Sequence, residues 1–175
     1  MGLSKQNMIA CLDVQYAPHS AAAAAVIFTE WKDAVPANIY TLVSADIQDY
    51  IPGKFYLREL PPLLSLIATV KEPLNCIIID GYCYLSDDYA PGLGYYLHEK
   101  LNPKIPVIGV AKSKFRNMDM AIEVFRGQSE KPLYITAIGI SDEMAASCIK
   151  NMHGSYRMPA LLKLADQLSR KTFQE

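Results

Sequence analysis

The sequence lacks an excess of charge of either sign. Its 175 residues include 17 lysines and arginines against 18 aspartates and glutamates, which gives a formal net charge of -1. A strongly basic polyanion-binding protein is therefore excluded as a description of the whole chain. A local basic surface is compatible with the same numbers.

The sequence also lacks the marks of a metal-thiolate, secreted or membrane protein. Its four cysteines form no C-x-x-C pair, so neither a zinc site nor a thioredoxin motif is indicated. No apolar stretch approaches the roughly 20 residues that a membrane helix needs, and the polar first residues contain no signal-peptide core. We expect a soluble, cytoplasmic protein with no membrane partner.

Apolar material is plentiful, since hydrophobic residues make up 51% of the chain. That fraction excludes disorder caused by low hydrophobicity. No linker, repeat or change in composition divides the chain, so the sequence predicts one domain over residues 1–175.

The first half of the chain predicts three strands and a helix. Apolar and β-branched runs separated by turn residues indicate a meander, with strands at Met8–Tyr16, Ala21–Trp31 and Ile39–Ala45. Helical spacing follows from Tyr56 to Val70, where Pro61 and Pro62 indicate either a restart or a kink.

The second half alternates strands and helices, so the fold class is mixed α/β. Two short apolar runs predict buried strands and two paired runs predict a hairpin, while amphipathic spacing predicts helices. The strands are Leu74–Ile79, Pro106–Ala111, Met120–Phe125 and Leu133–Ile138, and the helices are Gly94–Leu101, Ser141–Met152 and Pro159–Arg170.

Three acids occur where an acid is costly to bury. Asp13 interrupts an apolar strand, Asp80 ends the most hydrophobic strand, and Glu59 lies among leucines at the start of a helix. Buried carboxylates need a partner or a metal, and oxygen ligands suit Mg²⁺ or Mn²⁺. Taken singly, each acid also fits a turn or a surface ion pair.

A lysine ends the next strand of the sheet. Lys112 follows the run Pro106–Ala111 and would lie beside Asp80 if the two strands pair in parallel. Its ammonium group is a candidate for contact with a phosphate or an attacking water. A solvated lysine at a strand end is the alternative.

The most specific motif in the chain is D-Y-I-P-G-K-F-Y-L-R-E, over residues 49–59. It resembles the Y-I-P-G-x-x-x-x-R-E signature of the endonuclease V family. The likeness continues in register through D-V-x-Y at 13–16, D-G at 80–81, G-V-A-K at 109–112, and Y-R-x-P with A-D at 156–166.

This resemblance implies a ribonuclease H-like three-layer fold, with a three-stranded antiparallel meander followed by parallel strands and flanked by helices. It implies Mg²⁺-dependent (or Mn²⁺-dependent) hydrolysis of a phosphodiester near a deaminated purine, inosine, in DNA or RNA. Asp13, Glu59 and Asp80 would hold the metal, and Lys112 would stabilise the phosphate or orient the water. The implied substrate-binding residues are Tyr50, Ile51, Pro52 and Gly53, as a wedge that fills the space left by the lesion base, and Gly81.

The sequence also differs from the family pattern. Cys83 replaces a small glycine, and Asp87 with Asp88 stand where the family has a basic stretch that meets nucleic acid. The late family histidine is missing around Ala137–Asp142. Asp142 is a candidate replacement as a fourth ligand or base, or it is simply an acid in the first turn of a helix.

Three functions therefore remain open. The chain is an active nuclease of this type, a non-catalytic relative that acts as a binding protein, or a ribonuclease H-like nuclease that cuts another nucleic-acid structure.

Overall fold

The strands of the sheet follow the hydrophobic pattern of the sequence. In the computed structural model, which describes residues 6–45 and 47–173, the strands are β1 (Met8–Ala17), β2 (Ser20–Phe28), β3 (Asn38–Ser44), β4 (Leu74–Asp80), β5 (Val107–Ala111), β6 (Ile122–Val124) and β7 (Leu133–Ile138). They form one sheet in the order β3-β2-β1-β4-β5-β7-β6.

The pairing confirms the expected meander and the parallel strands after it. β1 pairs antiparallel with β2, and β2 pairs antiparallel with β3. β4 joins β1 in parallel and β5 joins β4 in parallel. The predicted hairpin is present as β6 and β7, and β7 returns antiparallel to β5. β2 ends at Phe28 rather than at Trp31, because a turn begins there.

Helices cover both faces of the sheet. Their bounds are α1 (Phe55–Thr69), α2 (Leu93–Lys100), α3 (Asp142–Lys150) and α4 (Ala160–Lys171). α1 and α2 pack on the face that holds Ala10, Leu12 and Ile77. α3 and α4 pack on the other face, against side chains that include Cys11 and Ile78. No helix within the described ranges has the length and apolar character needed to span a membrane.

Helix α1 runs without interruption through Pro61 and Pro62, so of the two alternatives expected from the sequence the restart is absent. Proline lacks the N–H that would donate to the carbonyl four residues earlier, which removes two bonds from this helix. The buried side chains Leu60, Leu63 and Leu66 keep this segment packed on the sheet. Burial of the apolar face therefore outweighs the missing backbone bonds.

The loop after β4 lies directly on β5 at Gly109. A Cβ atom built on Gly109 would come within 2.6 Å of the carbonyl oxygen of Gly81 and 2.9 Å of Oγ1 of Thr136. Gly81 N also donates to the carbonyl of Val110 at 3.0 Å. The absence of a side chain at Gly109 therefore sets the path of the chain that leaves Asp80.

We predict that Gly109→Ala destabilises the protein, because the new methyl group must displace the backbone at Gly81. The free energy of unfolding should fall by about 1–3 kcal/mol, the usual cost of overpacking, as measured by urea denaturation. Thr41→Ala, on the exposed face of β3, is the control and should change it by less than about 0.5 kcal/mol. Equal midpoints for the two variants would contradict the close approach.

Candidate functional site

The parallel pairing of β1 with β4 brings two aspartates to neighbouring positions. Leu12 pairs with Ile79, so Asp13 and Asp80 are the next residues on adjacent strands. Side chains alternate along a strand, and Cys11 and Ile78 both face α3 and α4. Asp13 and Asp80, two residues further on, therefore point to the same face.

Asp13 is held by hydrogen bonds from two other side chains. Its carboxylate is 8% exposed, and its Oδ2 accepts from Ser169 Oγ at 2.5 Å and from Gln15 Nε2 at 3.0 Å. Burial raises the pKa of Asp13, the two hydrogen bonds lower it, and the charges of Asp80 and Asp166 raise it again. The network fixes the carboxylate but supplies no opposing charge.

Glu59 reaches the two aspartates from helix α1. The three carboxylates line one cavity of about 90 Å³, the acidic cavity, at the end of β4. Burial, followed by the charges of Asp80 and Asp13, raises the pKa of Glu59 to about 7, and Arg58 opposes this shift. Arg58 itself stacks over the ring of Tyr16, 4.0 Å from its centroid.

Lys112 lies beside the acids, as the strand order predicts. Its Nζ is 3.5 Å from Oδ2 of Asp80, and both side chains are about half exposed. Its backbone is anchored by Arg157, whose Nη2 donates to the carbonyl oxygens of Lys112 and Pro132. Lys112 therefore has a fixed backbone and a side chain that reaches solvent.

A fourth acid, to which the sequence analysis gave no role, stands on α4. Asp166 lines a small second cavity together with Asp13, Asp80 and Lys112. Its Oδ1 accepts from Gln15 Nε2 at 3.3 Å, so one amide group bridges Asp166 and Asp13. Two signals could have found it, the A-D pair of the terminal motif and the alternation that turns both aspartates toward α4.

The structure does not bring Asp142 to this group, so its candidacy as a fourth ligand needs correcting. Asp142 begins α3, and its Oδ1 accepts from the backbone N–H of Ala137 at 2.8 Å. Ala137 pairs with Ile108, near the start of β5, whereas Lys112 follows the end of that strand. The length of β5, about 13 Å at 3.3 Å per residue, separates the two positions. The missing family histidine therefore has no replacement at Asp142.

The three acids line one cavity, but their carboxylates are not close enough together to bind one metal ion. Within residues 6–45 and 47–173, no three histidine, cysteine, aspartate or glutamate side chains stand close enough to hold one ion together. Their chemistry nevertheless fits a divalent cation, because the donors are carboxylate oxygens and because burial, followed by the charges of Asp80 and Asp13, raises the pKa of Glu59. An ion at this site requires the carboxylates to approach one another further.

A larger cavity of about 300 Å³, the aromatic cavity, adjoins the acids on the side of α1. Glu59 and Asp80 line it, together with Gly53, Gly81 and the rings of Phe55, Tyr56, Tyr82 and Phe115. Tyr82 fixes one wall, since its hydroxyl donates to Ser113 O at 2.7 Å and accepts from Phe115 N at 3.0 Å.

The Tyr50–Gly53 segment lies at the mouth of the aromatic cavity. Tyr50 and Ile51 are about half exposed, and the ring centroid of Tyr50 is 5.4 Å from that of Phe55. Gly53 adopts a φ of 77°, a conformation that favours glycine and turns the chain into α1. The segment therefore presents apolar side chains to solvent beside a cavity.

The acidic loop after β4 is held in place by internal hydrogen bonds. Asp87 Oδ1 accepts from Met120 N at 2.8 Å, and Asp87 N donates to Asn117 O at 3.1 Å, whereas Asp88 is exposed. Cys83, at the position of a family glycine, is fully buried and donates its Sγ to Val107 O. Both departures therefore serve packing of the loop.

Comparison with known proteins identifies the family of the chain. A family profile described as endonuclease V matches residues 2–126. Endonuclease V of Pyrococcus horikoshii is 31% identical over 176 residues, which cover 99% of this chain and 78% of the relative. Endonuclease V of Ignicoccus hospitalis is 27% identical over 91% of this chain and 79% of the relative.

Solved structures show the same fold. Endonuclease V of Streptomyces avermitilis superposes with a TM-score of 0.77 at 22% identity, covering 97% of this chain and 82% of that one. Endonuclease V of Ciona intestinalis, solved with a 24mer DNA containing an inosine followed by a ribo-adenosine, gives 0.83 at 20% identity, covering 98% and 88%. The ribonuclease H-like arrangement is confirmed, and the chain belongs to the endonuclease V family.

Proposed function

We propose that this protein is a metal-dependent endonuclease that hydrolyses a phosphodiester near a deaminated purine in DNA or RNA. The observation that carries the proposal is the acidic cavity, in which Asp13, Glu59 and Asp80 converge beside Lys112. Membership of the endonuclease V family and the inosine-containing DNA bound by the Ciona relative support the choice of substrate.

Asp13, Glu59 and Asp80 would hold the ion, for which Mg²⁺ or Mn²⁺ suits an all-oxygen site. When bound, such an ion lowers the pKa of water and neutralises developing charge on phosphate oxygens. Ser169 and Gln15 keep Asp13 in place by occupying its Oδ2. Asp166 adds a further carboxylate on the side of α4.

Lys112 would contact the reacting phosphate. In the structure its ammonium group lies 3.5 Å from Asp80, so it is already held at the edge of the acidic cavity. A cation at this position stabilises charge that develops on the phosphate oxygens, and Arg157 anchors the backbone from which the side chain extends.

The aromatic cavity would receive the extruded base. Its volume of about 300 Å³ and its aromatic rings suit a planar heterocycle. Tyr50, Ile51, Pro52 and Gly53 would act as the wedge that fills the gap in the stack, and Gly81 leaves the wall beside Asp80 free of a side chain.

The decisive test is a cleavage assay with inosine-containing DNA and RNA oligonucleotides in Mg²⁺ or Mn²⁺. We expect wild-type protein to nick at least one of them, and Asp13→Asn and Asp80→Asn to lose at least about 100-fold in rate, because each removes a charge that holds the ion. Asp142→Asn is the matched control and should cut like wild type.

Two results would overturn this assignment. Equal loss in Asp142→Asn and Asp80→Asn would contradict the location of the site. Binding of inosine oligonucleotides without cleavage in either metal would favour the non-catalytic alternative.

The wedge has its own test. Tyr50→Ala should weaken binding to inosine-containing duplex by about tenfold, since an aromatic ring that stacks on bases contributes about 1–3 kcal/mol, and should change binding to the unmodified duplex much less. Fluorescence anisotropy measures both. Tyr40→Phe, on β3 with its hydroxyl bonded to Glu72, is the control, and an equal loss on both duplexes would contradict the wedge.

The burial of Glu59 beside two other carboxylates predicts how stability depends on pH. The pKa of Glu59 is about 7 in the folded protein against 4.5 ordinarily, so between these values the folded state holds a proton that the unfolded chain has released. Its contribution to stability is present below pH 4.5 and is lost as pH rises through about 7. Burial raises the pKa of Asp13 in the same direction.

In wild type we expect the free energy of unfolding to fall as the pH rises from 4.5 to about 7. In Glu59→Gln this fall should be smaller by about 2 kcal/mol, as measured by urea denaturation in EDTA. Glu99→Gln, an exposed carboxylate on α2, should leave the fall unchanged. Added Mg²⁺ should raise the melting temperature of wild type more than that of Glu59→Gln. An identical pH dependence in both variants would contradict the cause assigned to the shift.

A further inference from the structure

An open groove lies on the other side of the acids from the aromatic cavity. Its volume is about 760 Å³, and its walls include Gln128, Ser129, Tyr156, Arg157, Lys163 and Asp166. We call it the Tyr156 groove. Tyr156 is 74% exposed, which is unusual for a ring of that size.

The Tyr156 groove is continuous with the acidic site. Asp166 and Met158 line both the groove and the small cavity that holds Asp13, Asp80 and Lys112. On the opposite side, Glu59 and Asp80 line both the acidic cavity and the aromatic cavity. The carboxylates therefore stand between the aromatic cavity and the groove.

The chemistry of the groove fits a nucleic-acid strand. Lys163 Nζ lies 5.8 Å from the ring centroid of Tyr156, close enough for a cation–π contact. In the described part of the chain, the ion pairs within 4.0 Å involve neither Lys163 nor Arg157. Lys163 beside an exposed ring on a polar wall offers a phosphate contact and base stacking together, whereas Arg157 is bonded to backbone carbonyls.

The wall that carries Tyr156 is rigid before any ligand binds. Arg126 is 5% exposed, and its two terminal nitrogens donate to the carbonyl oxygens of Met152, Gly154, Tyr156 and Arg157. Arg157 in turn donates to the carbonyls of Lys112 and Pro132. A preformed surface loses little entropy when a strand docks on it.

We infer that the Tyr156 groove binds the arm of the substrate strand that lies beyond the scissile phosphate, on the side away from the extruded base. The inference rests on the proposed function, because it takes the aromatic cavity as the base site and the carboxylates as the site of cleavage. The strand then crosses the acids from one cavity to the other. Lys163 contacts a phosphate of that arm, and Tyr156 stacks on one of its bases.

The test uses a single-inosine oligonucleotide and two versions trimmed from either end, with affinities measured by fluorescence anisotropy in EDTA. Lys163→Ala should weaken binding of the full-length strand by about three- to tenfold and reduce the slope of log affinity against log salt by about 0.7–0.9. Tyr156→Ala should weaken it by about tenfold. Both losses should vanish when the arm beyond the scissile phosphate is trimmed. They should persist when the arm on the side of the inosine is trimmed.

Lys71→Ala is the matched control. Lys71 is an exposed lysine just before the start of β4, at the opposite end of that strand from Asp80. It should not change the affinity for any of the three oligonucleotides. Lys163→Arg keeps the cation and should bind like wild type. Circular dichroism and melting temperature establish that each variant is folded.

The outcomes separate the groove from the proposed function. Wild-type protein that neither binds nor cuts any inosine oligonucleotide contradicts the function itself. Wild-type protein that binds and cuts while Lys163→Ala and Tyr156→Ala match it on every length overturns the groove and leaves the function intact. Losses that persist after either arm is trimmed also overturn it, because the contact would then lie elsewhere.

Discussion

The parallel pairing of β1 with β4 is the constraint on which the site depends. It places Asp13 and Asp80 side by side, and the surrounding core prevents them from separating, because Cys11 and Ile78 just before them are packed beneath α3 and α4. Glu59 lies on α1, which packs on the other face of the sheet and whose leucines are buried there. Apolar burial thus holds like charges together, and both the burial and the charges of Asp80 and Asp13 raise the pKa of Glu59.

The net charge of -1 describes the whole chain and leaves room for individual cations near the site. Lys112 lies beside Asp80 where β4 and β5 end, and Arg157 and Lys163 line the adjoining groove. In the acidic loop that stands in for a basic family segment, Asp87 accepts a hydrogen bond from the backbone of Met120. A nearly neutral chain can therefore place individual cations beside an acidic site.

Most of the fold and the three main acids could be predicted from the sequence, because both depend on local patterns. Alternation and helical spacing located the strands and helices, and costly acids in apolar runs marked Asp13, Glu59 and Asp80. Asp142 and Asp166 show where such reasoning stops. Asp142 begins α3 whereas Asp166 lies in the middle of α4, and the register of β7 on β5 and the docking of α4 on β1 decide which one meets the site. Those are long-range contacts, and the A-D pair of the terminal motif was the one local signal for Asp166.

The two arginines Arg126 and Arg157 join these distant parts into one unit. Arg126 holds the carbonyls at the entry to α4, and Arg157 bonds this entry to the backbone of Lys112. The position of α4 on the sheet is therefore coupled to the end of β5, and α4 carries both Ser169, which bonds Asp13, and Lys163 in the groove. A guanidinium group taken out of water is costly unless its donors are bonded, and Arg126 meets this cost with four backbone carbonyls. The docking of α4 therefore sets both the place of Ser169, which bonds Asp13, and the wall of the groove that Arg126 and Arg157 hold.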